Sequence, residues 1–251
     1  MSFLLHLDSQ STGLRYNAKP EDFTVDNLNL QLDVSREYEV ALLSASIWYS
    51  WYNVCDSQFN NAKWRYSING GLTWIQHTIP DGLYSVDAIN SYFEKIISAD
   101  GNNPSNLVLS ANYSTLRCVI ALTGYQIDLQ SSQSKLHELL GFNSQVLTST
   151  KEGENPVNIT NDINSISIHC SLIDSNSSFL NNEHTDTLFS FVPRSGPSTL
   201  LDVRPLHLIY LPMLSKNISS INLRVTNQLN NLIDLNNEPT SYVLHIREKT
   251  K

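Results

Sequence analysis

The sequence predicts a mostly β protein, a sandwich or barrel with hairpin insertions and two short helices. Short runs rich in Val, Ile, Thr, Tyr, Phe and Trp recur along the chain, each bounded by Asn, Ser, Gly or Pro. Helical periodicity surfaces in only two places, and the alternation of strand and helix that builds parallel sheets is missing. About a dozen strands fit, with no internal repeat and no clean domain boundary.

The elements follow in order. Phe23 to Leu32 alternates apolar and polar, with a slip at Asp26–Asn27 that reads as a bulge. The run from Tyr38 to Ser50 is apolar enough to be covered on both faces. A helix is the rival over Val40–Ile47, and the aromatics Trp48, Tyr49, Trp51 and Tyr52 favour a strand. Two aromatic runs, from Lys63 to Ile68 and from Leu72 to Ile79, flank Asn69-Gly70-Gly71, a strong hairpin signal. Then the period changes. Ile89, Tyr92, Phe93, Ile96 and Ile97 share one helical face, Ser85 stands at the cap and Asp87 in the first turn, so a helix should run to about Ser98. A hairpin over 106–122 turns at Tyr113-Ser-Thr, and 125–129 reads as another strand. Ser134 caps a short helix ending at Gly141, and 143–160 reads as a long connection. Strands over 163–172, 187–192, 206–211, 218–225 and 242–246 complete the pattern.

Charge excludes several functions. The 251 residues hold 16 Lys and Arg against 24 Asp and Glu, a formal net charge of −8, so no basic patch tracks phosphates. Arg247, Lys249 and Lys251 form only a small cluster, read as a solvated terminus. Charged residues make up 16%, well under the usual quarter or so, which suits a surface packed among neighbours. No apolar run is long enough to span a membrane, and the first residues do not read as a secretory leader. Cys55, Cys118 and Cys170 sit apart in apolar runs and read as buried free thiols of a reducing compartment. The Asn-x-Ser/Thr matches at Asn112, Asn158, Asn176 and Asn217 are then chance products of an Asn- and Ser-rich chain.

Catalytic, cofactor and metal constellations are not found. The seven histidines are scattered. His169-Cys170 is the tempting pair, but neighbours on a strand point to opposite faces, which leaves a core cysteine and a hydrogen-bonded or exposed histidine. Lys151-Glu-Gly-Glu154 reads as a solvated loop. One motif is specific: Ser67-Ile-Asn69-Gly70-Gly71-Leu-Thr73-Trp74 resembles the Asp-box hairpin of sialidases, with Asn69 in place of the usual Asp. The small polar side chain bonds the turn backbone, Gly71 takes positive φ and Trp74 packs beneath, a structural turn rather than an active site. It occurs once.

A longer series of motifs resembles a family. In order these are Tyr38-Glu-Val-Ala-Leu-Leu-Ser, Arg65-Tyr-Ser-Ile-Asn-Gly-Gly-Leu-Thr-Trp, Ile79-Pro-Asp-Gly-Leu-Tyr-Ser-Val-Asp-Ala-Ile-Asn, Leu139-Leu-Gly-Phe, Ile209-Tyr-Leu-Pro and Val243-Leu-His-Ile-Arg. Together they resemble the minor capsid, or penton, proteins of Polinton (Maverick) elements and of related adintoviruses and virophages. The resemblance implies a non-enzymatic, single jelly-roll domain over 1–251, with 62–142 an insertion, a small second domain or decoration on the roll. It implies a homopentamer at the five-fold vertices of an icosahedral virion, made in the host cytoplasm or nucleus, and contact with a double-jelly-roll major capsid protein. A major capsid subunit is the less favoured variant, since two fused rolls need about sixteen strands. A third reading is a glycan- or receptor-binding spike with Trp48, Trp51 and Tyr52 as its platform. Apolar loops, among them Pro193–Pro205 with Leu200 and Leu201, are the expected contributors to contacts between copies.

Overall fold

The computed structural model describes residues 1–11, 13–160, 163–180, 183–194 and 198–249. Its strands of labelled interest are β1 (Ser2–Asp8), β2 (Asp22–Val25), β3 (Tyr38–Trp48), β4 (Lys63–Ser67), β5 (Ile75–Thr78), β6 (Leu107–Asn112), β7 (Arg117–Leu122), β8 (Gln126–Leu129), β9 (Gln145–Leu147), β10 (Lys151–Glu152), β11 (Ile166–Cys170), β12 (Thr187–Phe191), β13 (Leu200–Val203), β14 (Ile221–Asn227) and β15 (Ser241–Glu248). Three helices are described: α1 (Asp56–Phe59), α2 (Val86–Ala99) and α3 (Leu136–Leu140). The chain divides into two compact units, Met1–Trp51 with Ile163–Lys251, and Tyr52–Asp162.

The first unit is a jelly roll of eight antiparallel strands. One sheet runs β1-β15-β3-β13 and the other β12-β11-β14-β2. Counted along this unit, the orders are first–eighth–third–sixth and fifth–fourth–seventh–second. That is the double Greek key of a jelly roll. Side-chain alternation makes it work. Tyr242, Leu244 and Ile246 of β15, Phe23 of β2 and Ile221, Leu223 and Val225 of β14 are all buried. The rings of Phe23 and Tyr242, one from each sheet, lie 6.0 Å apart across the core. A bulge between Val243 and Leu244 lets Leu43 slip out of the β3 ladder, and it is left exposed.

The second unit enters between the third and fourth strands of the roll and has its own core. Sheets β9-β8-β4-β5 and β10-β7-β6 belong to it. Helix α2 starts where Ser85 Oγ accepts from Ala88 N at 3.1 Å. It buries Val86, Ile89, Phe93 and Ile97, and Phe93 stacks on Trp64 with ring centroids 3.7 Å apart.

Several expectations need correction. The stretch 143–160 is not a bare connection: β9 and β10 lie in it, held by partners β8 and β7 far away in sequence. Residues 193–205 contain the edge strand β13, whose Leu201 and Val203 face the core; 195–197 lie outside the described residues. The run 206–211 yields a strand only at Leu211–Pro212. Strand β1 and the single-turn α1 were not anticipated. The run from Phe23 is not one bulged strand: β2 stops at Val25, Asn27 takes φ 62°, and strand resumes only at Leu30–Gln31, paired with Asn217–Ile218. The rival helix over 40–47 is not formed, because β3 finds ladder partners on both sides.

Candidate functional site

In the second unit, β4 and β5 are joined by residues 68–74, a wider connection than a two-residue turn, so the second strand starts at Ile75 rather than Leu72. Ser67 Oγ accepts from Gly71 N at 2.9 Å and donates to Asn69 Oδ1 at 2.9 Å. Asn69 Oδ1 also accepts from Thr73 N at 3.0 Å, while its Nδ2 donates to Thr73 Oγ1 at 2.8 Å. Gly70 and Gly71 take φ of 71° and 87°, the left-handed region where a Cβ is strained. Trp74 is half-buried, and the Arg65 guanidinium lies 5.1 Å from its ring. Arg65 is itself held by Asp128, with Nε 2.8 Å from Oδ2. Every polar group of the turn that these bonds name is spent within the turn, and Leu72 at its tip is exposed.

The suggested aromatic platform is not assembled. Trp51 is 2% exposed and stacked on Tyr49 at 3.9 Å, so its ring offers no face to a ligand. Trp48 stays partly exposed and sits opposite Leu200 on the β3–β13 ladder. The segment read as a solvated loop is tied down instead: Lys151–Glu152 is strand β10, and Lys151 and Glu154 form an ion pair. The bond from Lys151, then those from Asn143 N and Gln145, pull the Glu154 carboxyl down to about 2 against the opposing effect of burial. Two shallow hollows flank α3, of about 180 and 380 Å³, lined by Asn61, Lys135, Glu138, Asn143, Asn155 and Asn158 among others. No group of metal-ligating side chains gathers among the described residues. In the tail, Arg247 Nε bonds Glu39 Oε1 at 2.6 Å and Lys249 Nζ lies 3.3 Å from Glu37; Lys251 lies outside the described residues.

One constellation escaped sequence reasoning. His169 of β11 is fully buried, with Nδ1 2.9 Å from Asp186 Oδ1 and Nε2 2.8 Å from Thr226 Oγ1. Arg224 Nη2 donates to the same Asp186 oxygen at 2.9 Å. Burial pushes the Asp186 carboxyl up, but the His169 bond and the Arg224 charge outweigh it and hold it below the usual range. The order carboxylate–imidazole–hydroxyl is that of a hydrolytic triad. Thr226, however, is 0% exposed, so no substrate carbonyl reaches its oxygen. The arrangement ties β11, β14 and the start of β12 together as a satisfied polar seam. Next to it Cys170 faces the core, its thiol pushed up to about 12 by burial.

The remaining surface of interest is the edge and outer face of the β1-β15-β3-β13 sheet. Tyr210 lies over that face: its hydroxyl meets His245 Nδ1 at 2.6 Å, and Arg247 stacks 3.4 Å from its ring. The same segment leaves Leu206 and Ile209 in solvent.

No family model matches the chain, and no curated protein matches it. Among solved structures, the selenomethionine-labelled mavirus penton protein is similar over 99% of this chain and 100% of that one, at 13% sequence identity and a TM-score of 0.50. At that identity the likeness establishes the fold, a jelly-roll β protein.

Proposed function

We propose that the chain is a structural capsid subunit, a penton that fills the five-fold vertices of an icosahedral virion of the virophage and Polinton (Maverick) kind. The observation that carries the reading is the fold similarity to the mavirus penton protein, which extends over the roll and the inserted unit together and leaves neither chain with an unmatched domain. The chemistry supports it. The triad-like seam at His169 is sealed, and in the Asp-box-like turn Ser67, Asn69 and Thr73 bond one another and the turn backbone. Charged residues make up only 16% of the chain, which leaves fewer charges to be desolvated against neighbours.

In this reading five copies join through one head-to-tail interface whose rotation closes a ring, and the ring seats in a shell of double-jelly-roll major capsid protein. Each contact should bury more than about 1,000 Å². Co-expression with that shell protein, followed by imaging of the particles, tests the proposal. Density for five copies at each vertex is the expected result. Particles that close without this chain, or that carry it at three-fold positions, would refute it.

A further inference from the structure

The edge of the jelly roll at β1 is open in a way the other edges are not. The outer side of β2 is covered by its own chain: Leu14 bridges Val25, and Arg15 N donates to Thr24 O at 2.9 Å. Strands β12 and β13 are short, five and four residues. Strand β1 has seven residues in unbroken register with β15, from Ser2 opposite Arg247 to Asp8 opposite Ser241. It contains no proline, lysine or bulge, the usual guards of an edge.

The register tells which backbone groups are free. Glu248 N donates to Met1 O and Ser9 N to Thr240 O, both at 2.9 Å, so the odd-numbered residues make the inward bonds. The N–H and C=O of Ser2, Leu4 and His6, and the N–H of Asp8, therefore point outward. No hydrogen bond among the described residues reaches them; Asp8 O is taken by Ser11 N at 3.1 Å. Beside them Phe3 and Leu5 are only half-buried and Leu4 is 50% exposed.

From this edge we infer that β1 pairs with β1 of a second copy, antiparallel across a two-fold axis at Leu5. The strand is complementary to itself in that register. Leu5 meets Leu5 of the second copy, Phe3 meets Leu7, Leu4 meets His6 and Ser2 meets Asp8. The half-buried apolar residues on the core side gain apolar partners, and no like charges oppose each other. The outward groups supply about six backbone hydrogen bonds between the copies. The contact is two-fold and so distinct from a head-to-tail ring; it needs only two copies and does not rest on the capsid reading.

Native mass spectrometry and sedimentation across a concentration series test it on the full chain. The assembled unit, monomer or ring, should double in mass as concentration rises. Hydrogen exchange at the amides of Leu4, His6 and Asp8 should slow in step. Leu4→Pro removes an outward N–H and leaves the inward ladder intact. Leu4→Lys places a charge on the edge without touching the backbone. Each should weaken doubling by at least roughly tenfold, the loss of about 1.4 kcal/mol. A wild-type chain that never doubles, doubling that persists in Leu4→Lys, or amide exchange indifferent to concentration overturns the inference. A wild-type chain that never doubles sinks this contact and leaves the penton reading standing, which is judged by the particles formed with the shell protein; particles without this chain at their five-fold vertices would sink that reading and leave the contact standing.

Discussion

Three glycines at similar positive φ separate backbone strain from steric clash. Gly70, Gly71 and Gly141 have φ of 71°, 87° and 79°. An alanine at each pays the left-handed penalty, about 1–2 kcal/mol. Their surroundings differ. A Cβ on Gly70 meets nothing within 4 Å, and one on Gly71 meets the flexible tip of Gln126 at 2.9 Å. At Gly141 it would lie 2.2 Å from the Asn155 carbonyl oxygen and 2.9 Å from that of Pro156. Those are backbone atoms, held by Asn155 N donating to Gly141 O at 2.8 Å. Overpacking of this kind adds about 1–3 kcal/mol. Gly70→Ala and Gly71→Ala should each cost about 1–2 kcal/mol, and Gly141→Ala about 2–5 kcal/mol. For a chain of this size that is a further loss of roughly 2–4 °C in Tm per kcal/mol. Thermal and urea unfolding of the three variants under one set of conditions provides the measurement. If Gly141→Ala melts together with Gly70→Ala, the close crossing of 141 and 155 is wrong.

Other outcomes follow from the same reasoning. Glu154, at about 2 when folded and about 4.3 when unfolded, contributes stability that is complete above the unfolded value and lost as pH falls toward 2. Glu154→Gln should therefore flatten the acid limb of Tm against pH over that window; an identical limb in both proteins counts against the Lys151 pair. Cys118 and Cys170, both buried and pushed up to about 12, should resist alkylation at neutral pH and label fully in denaturant, read by mass spectrometry. Rapid native labelling of either would contradict their burial. His169→Leu strips partners from Asp186 and Thr226 and should cost about 2–4 kcal/mol in urea unfolding; a neutral result would show that the seam is not needed for stability.

Elements whose evidence lies within a few residues were legible. The spacing of Ile89, Phe93 and Ile97 marked α2 and the alternation of Tyr242, Leu244 and Ile246 marked β15, because each carries its own period. In β1, Leu4 interrupts the alternation of Phe3, Leu5 and Leu7, so the strand shows no clean period of two. Strands β9, β10 and β13 are four residues or fewer, and only distant partners make them strands. The burial of Trp51 was invisible for a related reason: an aromatic run favours a strand without saying which rings face the core. The seam at His169 depends on residues 17 and 57 positions away, a separation at which one sequence holds no signal of contact. The resemblance reached the fold by another route, through the order of weak motifs, each uninformative alone.

The segment 62–142 marked in the sequence lies inside the unit Tyr52–Asp162, and the wider bounds have a physical test. The unit's core is its own: Trp64, Tyr66, Phe93, Ile97, Leu109, Ile120, Ile127 and Leu140 form one buried cluster drawn entirely from it. Its two ends are joined, since Asn53 Nδ2 donates both to Tyr84 O at 2.8 Å and to Ile159 O at 2.9 Å. A unit whose ends already meet adds little loop-closure entropy to the roll that hosts it, because that cost grows only as the logarithm of length. Two consequences are expected. Residues 52–162 expressed alone should fold cooperatively, with dispersed amide resonances. A chain in which they are replaced by a short Gly-Ser linker should keep the roll's β signature and melt in one transition. If the isolated segment is unfolded while the shortened roll also fails, the two units are one folding body and the sequence's single-domain reading stands. If only the roll survives, the inserted core is too small to pay its own conformational entropy, about 1–2 kcal/mol per ordered residue.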